Sequence, residues 1–165
     1  MLLALLSDTH DTHATTSAAL TLLKPHNPDA YLHAGDLVSP DMLDLFADLP
    51  FHFVYGNNEY DLTLLKSKAA ALGLYCHEHF ADLTFANKRI AMLHGHEHNR
   101  LERLAHSGDY AYLIHGHTHL KRDTRLGPTR IINPGALHRA RTKSAALLNL
   151  TTDTLTYIDL TPQSF

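Results

Sequence analysis

The first third of the chain alternates short, wholly apolar runs with stretches of helical periodicity, and polar residues cluster where the two meet. Leu2–Leu6 is an uninterrupted apolar run that stops at Ser7-Asp8, the pattern of a strand buried on both faces. Thr16–Lys24 predicts a helix, stopped by Pro25 and the Asn27-Pro28 pair. Ala30–Ala34 predicts a second strand, closed by Gly35-Asp36. Ser39-Pro40 has the form of an N-cap followed by proline at the first helical position, so a helix is expected through Leu49. Phe51–Tyr55 predicts a third strand, ending at Gly56-Asn57-Asn58. Asp61 then caps a helix running to Leu72, with Gly73 as its stop. Three strand–helix units in succession favour a parallel sheet.

Strand patterns dominate the second half. Leu74–His77, Leu83–Ala86 and Arg89–Leu93 are strand candidates, the last two joined by an Asn87-Lys88 turn. Asn99–His106 predicts a short helix ended by Gly108, followed by a strand at Tyr110–Ile114. Gly127-Pro128 separates Lys121–Leu126 from Thr129–Ile132, and Ser144–Leu150 and Thr154–Leu160 close the chain as a hairpin. Two sheets packed face to face, with helices outside, accommodate these elements. No linker or repeat divides the 165 residues, so one domain over 1–165 is expected.

Composition narrows the class. Apolar residues at 44% and charged residues at 19% exclude a disordered polyelectrolyte. A net charge of -3 argues against a nucleic-acid coat protein or a basic membrane-surface protein. The Leu2–Leu6 run is too short for a signal peptide or a span, and the single Cys76 gives no sign of an oxidising compartment. A soluble, cytoplasmic domain with no membrane partner is the expectation, and self-association is left open.

Histidine is the outlier, at fifteen residues, with His94, His96 and His98 and then His115, His117 and His119 in alternating triplets. Open α/β sheets bind ligands beyond the carboxyl ends of their strands. Five predicted strands are followed by Asp8 with His10, Asp36, Asn57, His94, and His117 with His119. All of these side chains can ligate a metal, and four of the five groups adjoin a glycine. Four imidazoles, two carboxylates and a carboxamide suit manganese, iron, cobalt, nickel or zinc better than magnesium or calcium. Seven side chains exceed one tetrahedral shell and suit two divalent ions sharing a carboxylate, the arrangement that clamps a phosphoryl group. Two dications less two carboxylates leave a site that attracts phosphate.

The segments Asp8-Thr9-His10, Gly35-Asp36, Gly56-Asn57-Asn58-Glu59, His94-Gly95-His96 and Gly116-His117-Thr118-His119 resemble, in order, the motifs of the calcineurin-like metallophosphoesterases. One alone is weakly specific; five in order are strongly so. The chain length, the Gly116–His119 motif and Asn133-Pro134-Gly135 are similar to the short YfcE-type phosphodiesterase branch. The resemblance implies a metallo-dependent phosphatase-like fold, an α/β/β/α four-layer sandwich of two mixed sheets flanked by helices. It implies Asp8, His10, Asp36 and His119 on one ion and Asp36, Asn57, His94 and His117 on the other, Asp36 bridging. It implies manganese first, with iron, nickel, cobalt or zinc as alternatives. Hydrolysis would proceed by attack of a metal-bridging hydroxide on small phosphate esters, phosphodiesters first, with nucleotide-like ones among them. Asp36, Asn57 and His94 would then be catalytic.

Many members carry His where this chain has Asn58, whose carboxamide can bind phosphate but cannot supply a proton near pH 7. His96 is the first candidate for that proton and for substrate contact, ahead of His13 and His138. His33 is expected in the core or behind a ligand. Lys121–Lys143 holds seven of the 14 basic residues and one acid, Asp123. It is read either as a patch steering an anionic substrate or as a solvated strand face. The resemblance points to Arg141 for substrate binding, although Ala140 replaces the usual proline before it. No aromatic residues interleave in the manner of a long nucleic-acid platform. Asn57–Asp61, His96–Arg103 and Leu137–Lys143 are expected to wall the cleft. The alternatives are a phosphomonoesterase and a non-catalytic protein-binding scaffold on the same fold, as in the retromer subunit that resembles this branch.

Overall fold

The computed structural model describes residues 1–160, which form two mixed β-sheets. The first has the strand order β11-β10-β1-β2-β3-β4, built from β1 (Leu2–Leu6), β2 (Ala30–His33), β3 (Phe51–Phe53), β4 (Tyr75–Cys76), β10 (Lys143–Asn149) and β11 (Thr154–Leu160). Strands β1 to β4 are parallel, and the β10–β11 hairpin joins antiparallel beside β1. The second has the order β5-β6-β7-β9-β8, from β5 (Ala81–Phe85), β6 (Lys88–Met92), β7 (Tyr112–Ile114), β8 (Arg122–Leu126) and β9 (Thr129–Asn133). Here β6, β7 and β9 are parallel.

Alternation along the strands builds the layers. In β1, Leu3 and Leu5 face the second sheet, packing with Leu32, Ile90, Met92, Ile114 and Ile132. Ala4 and Leu6 point the other way, onto Leu20 and Leu23 of α1 (His13–Leu23) and Leu65 of α2 (Leu62–Ala71). Successive strand side chains leave on opposite faces, so a strand apolar at every position must be covered twice. The outer face of the second sheet (Ala91, Leu93, Leu113, Ile131) packs on α3 (His98–Ser107) through Leu101, Leu104 and Ala105. The result is the expected four-layer order of helices, sheet, sheet and helix. No helix among the described residues is long and apolar enough to cross a membrane.

Several local expectations shift. Helix α1 begins at His13, three residues before the predicted start, and Lys24–His26 continues it as a 3₁₀ turn. The segment after Ser39 is a 3₁₀ helix over Pro40–Phe46, and Ser39 does not cap it. Its hydroxyl and its N–H both donate instead to Asp11 Oδ1, at 2.7 and 2.9 Å. The β5–β6 turn falls on Ala86-Asn87, both in left-handed backbone, one residue earlier than predicted. Two consecutive positive φ values are what a tight hairpin of this hand requires. Asp61 caps α2 as expected, accepting from Leu64 N–H at 2.9 Å.

Candidate metal centre

Strands β1, β2, β3, β6 and β7 all release their chains at one end of the sandwich, and backbone hydrogen bonds lace the emerging loops together. Asp8 N–H donates to the Gly35 carbonyl, His10 N–H to that of Asp36, and Gly116 N–H to that of His94, at 2.9–3.0 Å. The loops turn sharply. Asp8, His10, Asp36, His117 and His119 all have positive φ, between 41° and 68°. Left-handed backbone costs a residue with a Cβ roughly 1–2 kcal/mol, and such strain gathers where side chains must be aimed. Two glycines make room for the crossing. A Cβ at Gly56 would lie 2.1 Å from Asp36 Oδ1, and one at Gly116 only 1.8 Å from Ser7 Oγ.

The side chains so aimed converge. Asp36 Oδ2 lies 3.3 Å from His10 Nε2 and 3.3 Å from His94 Nε2. Asp8 Oδ1 lies 3.2 Å from His119 Nε2, 3.9 Å from His10 Nε2 and 4.0 Å from His94 Nε2. Two sets have ligand atoms close enough to hold one ion each: Asp8 with His10 and His119, and Asp8 with Asp36 and His94. Asn57 Oδ1 is 3.1 Å from His94 Nε2. The His117 ring packs edge-on against His94 at 5.1 Å, and its backbone N–H donates to Asp8 Oδ2.

The outward-facing oxygens are saturated while the inward-facing atoms are not. Asp8 Oδ2 accepts from Ser7 Oγ at 2.6 Å and from His117 N–H, yet the buried Asp8 Oδ1 and His10 Nε2 have no hydrogen-bond partner. A buried polar atom without a partner costs ~1–3 kcal/mol, so such atoms facing one another call for a ligand. At His94, Nδ1 sits 2.8 Å from the Ala34 carbonyl, which accepts only if Nδ1 carries the proton. The Nε2 lone pair of the neutral ring then faces three oxygens. A cation, a proton or a metal ion, relieves that contact. The mixed nitrogen and oxygen donor set fits divalent transition metals.

Charge shifts follow from the same crowding. Burial raises the Asp8 pKa and outweighs its Ser7 hydrogen bond and the nearby imidazoles. Burial also acts to raise Asp36, but hydrogen bonding and charge from His94, with the Asn58 donors, hold it well below the usual carboxylate range. At His94 burial favours the neutral ring, but Asp36 and Asp8 reverse this and raise the pKa. Burial depresses His10, His96 and His117.

The other expected site residues divide. His96 is half-buried beside His94 and His117, at ring distances of 5.5 and 6.2 Å, and its buried Nδ1 has no partner. Asn58 is occupied within the site: its Nδ2 and N–H donate to Asp36 at 2.7 and 3.0 Å. His138 stands 5.2 Å from the His10 ring, with Nδ1 3.1 Å from Thr12 Oγ1. His13 and Arg141 are exposed. Fully buried His33 pairs with Thr9 Oγ1, and burial pushes its pKa down to about 3.

Three of the seven cations of the basic segment have acidic partners, which takes them out of a steering role. Arg130 bridges Asp123 and Asp153, Arg125 pairs with Asp153, and Lys121 with Asp159. Two positioning residues emerge only in three dimensions. Glu59 accepts from Leu37 and Gly56 N–H, both at 2.7 Å, tying the Asp36 loop to the Asn57 loop. Buried Asn133 donates to the Gly116 carbonyl at 2.8 Å and to Thr118 Oγ1 at 3.1 Å, bracing the loop that carries His117 and His119. Their presence inside the motif segments Gly56–Glu59 and Asn133–Gly135 is the signal that points to them.

Residues 1–154 match the family model described as the calcineurin-like phosphoesterase superfamily domain. The chain belongs to that superfamily. It is thereby a phosphoester hydrolase of a metal-dependent family. No curated protein matches it. Among solved structures it is similar to an archaeal phosphodiesterase, with 25% identity and a TM-score of 0.91 over 97% of this chain and all of that one. Zinc-complexed Vps29 from Entamoeba histolytica shares 22% identity and a TM-score of 0.75 over 99% of this chain and 95% of that one. The phosphoesterase YfcE from E. coli shares 16% identity and a TM-score of 0.69 over 98% and 100%.

Proposed function

We propose that this superfamily member is a dinuclear metal-dependent phosphodiesterase acting on small diesters. One observation carries the reading: Asp36 Oδ2 lies 3.3 Å from both His10 and His94 Nε2, between a histidine of one candidate ligand set and a histidine of the other. Asp8, His10, Asp36 and His119 would hold one ion, and Asp36, Asn57, His94 and His117 the other. Divalent ions there, manganese ahead of iron, nickel, cobalt or zinc, would supply Lewis-acid polarisation of the phosphoryl group and an acidified water as nucleophile. The protein does the rest. Donors from Asn57 and Asn58 keep Asp36 ionised. The Ala34 carbonyl fixes the His94 tautomer so that Nε2 faces the centre. His96, its ring 5.5 Å from that of His94, would be the residue to exchange a proton with the leaving alkoxide. Similarity to the archaeal phosphodiesterase supports diesters over monoesters.

The test is hydrolysis of bis(p-nitrophenyl) phosphate against p-nitrophenyl phosphate by manganese-loaded protein, together with elemental analysis. The expected result is about two ions per chain and a faster diester rate. Faster monoester turnover would make it a phosphomonoesterase. No metal uptake and no turnover would favour the second reading, a protein-binding scaffold. That reading draws on the Vps29 folds and on Tyr60 and Leu120, 74% and 69% exposed, which adjoin Glu59 and His119 in sequence.

A further inference from the structure

His33, fully buried at the end of β2, takes no part in the chemistry proposed above. Its ring stands against Phe46 and Phe51, at centroid distances of 6.4 and 6.0 Å, and close packing there leaves it little room to turn. Its Nε2 lies 3.2 Å from Thr9 Oγ1, across the pairing of β1 with β2. Thr9 is buried as well, and it sits between Asp8 and His10, two candidate ligands in left-handed backbone. The Thr9 hydroxyl also reaches the Asp36 carbonyl, at 3.4 Å. Strand β2, the Asp8–His10 turn and the Asp36 turn therefore meet at one hydroxyl.

These contacts also fix the tautomer. A carbonyl can only accept, so the Thr9 proton goes to Asp36 and the Thr9 oxygen accepts from His33. The neutral ring then carries its proton on Nε2. Buried His33 Nδ1, which has no partner, keeps a lone pair. The opposite tautomer would strand an N–H in the core, the rarer and costlier fault. The pin matters because His10 Nε2 and Asp36 Oδ2 stand 3.3 Å apart across the gap between the two turns. Strained backbone persists only where its surroundings over-determine it. We propose that His33 is a positioning residue whose Nε2–H pins Thr9 against Asp36 and so sets the gap between the Asp8–His10 turn and the Asp36 carboxylate. Its consequence for metal binding rests on the phosphodiesterase reading, whereas the clamp itself needs no metal.

His33→Phe keeps an aromatic ring against Phe46 and Phe51 and removes the donor, and His33→Gln returns a donor nitrogen to the place of Nε2. In metal-free protein, long-range proton–nitrogen spectra should show His33 protonated at Nε2, with a resonance that moves in Thr9→Val. The Asp8 and His10 amides, which donate to the Gly35 and Asp36 carbonyls, report on the gap. Their hydrogen exchange should quicken about tenfold in His33→Phe, return in His33→Gln, and leave Leu5 unchanged throughout. Manganese titrated by calorimetry should bind His33→Phe about tenfold more weakly than wild type or His33→Gln. Thr9→Val should match His33→Phe, and the double variant should be no worse than either. A proton on Nδ1, faster exchange throughout β1, or equal manganese affinity in wild type and His33→Phe overturns the proposal. Wild-type protein that binds no manganese yet shows the local exchange effect keeps the clamp and overturns the phosphodiesterase reading.

Discussion

Strand β9 begins and ends in two polar clusters of opposite character. At its start, Arg130 donates to Asp123 through Nε and Nη2 at 2.8 Å and to Asp153 through Nη1 at 2.7 Å, and Tyr112 adds a 3.0 Å hydrogen bond to Asp153. Hydrogen bonds from Arg130 hold Asp123 below its ordinary pKa, and those carboxylates raise the arginine in turn. At its end, Asn133 braces a loop whose histidines have left-handed backbone and whose neighbouring carboxylate keeps a buried oxygen unpartnered. One cluster satisfies itself, and the other is complete only with cations. Density of charged side chains does not separate a structural knot from a ligand site; satisfaction of their hydrogen bonds does.

Removing Asp36 should produce the largest effect. Asp36→Ala is expected to abolish metal uptake, read by elemental analysis, and to cut diester hydrolysis by a factor on the order of 10³. The same kind of change at the other end should damage the fold and leave the chemistry. Arg130→Met takes the buried guanidinium away from two exposed carboxylates and should cost about 1 kcal/mol in urea unfolding, while kcat at saturating metal stays within about twofold. Asn133→Asp sharpens the contrast, because its carboxylate cannot donate to Gly116 or Thr118. Metal affinity by titration calorimetry should fall about 10–100-fold, with kcat recovering at high metal.

The smallest effect is a pH slope in the metal-free protein. Burial holds His33 at about 3 and His115 at about 4, and burial with the His77 charge holds His52 at about 4, against 6.5 when unfolded. Between pH 6.5 and about 4 the unfolded chain binds more protons than the native one, so stability falls as the pH drops. Each buried imidazole can contribute at most about 1.4 kcal/mol per pH unit over that window. Chemical denaturation at pH 7 and pH 5 measures it. A flat profile would mean that these rings are protonated in the native state.

The candidate ligands were legible because they sit where apolar runs stop and because glycines mark the turns beside them. Asp8, Asp36 and His94 needed no structure to be singled out. The Lys121–Lys143 segment shows the limit of such reading. Its positive charge is plain in sequence, but Asp153 and Asp159, which offset part of it at Lys121, Arg125 and Arg130, come from the β10–β11 turn and from β11, far along the chain. Ser39 erred for the same reason: Asp11, 28 residues away, takes the hydroxyl that local pattern assigns to a cap. The hydrogen bond from the Asn58 amide to the Asp36 carboxylate is likewise invisible in sequence, because 22 residues separate the two.

The order of apolar and polar residues along the chain determined the strands, the two-faced burial of β1 and the identities of the candidate ligands, since these depend on neighbours in sequence. Only the tertiary structure decided which charges cancel, which oxygens stay unpartnered and which residues brace the loops. Those outcomes depend on distances between segments that the chain brings together only when both sheets have packed.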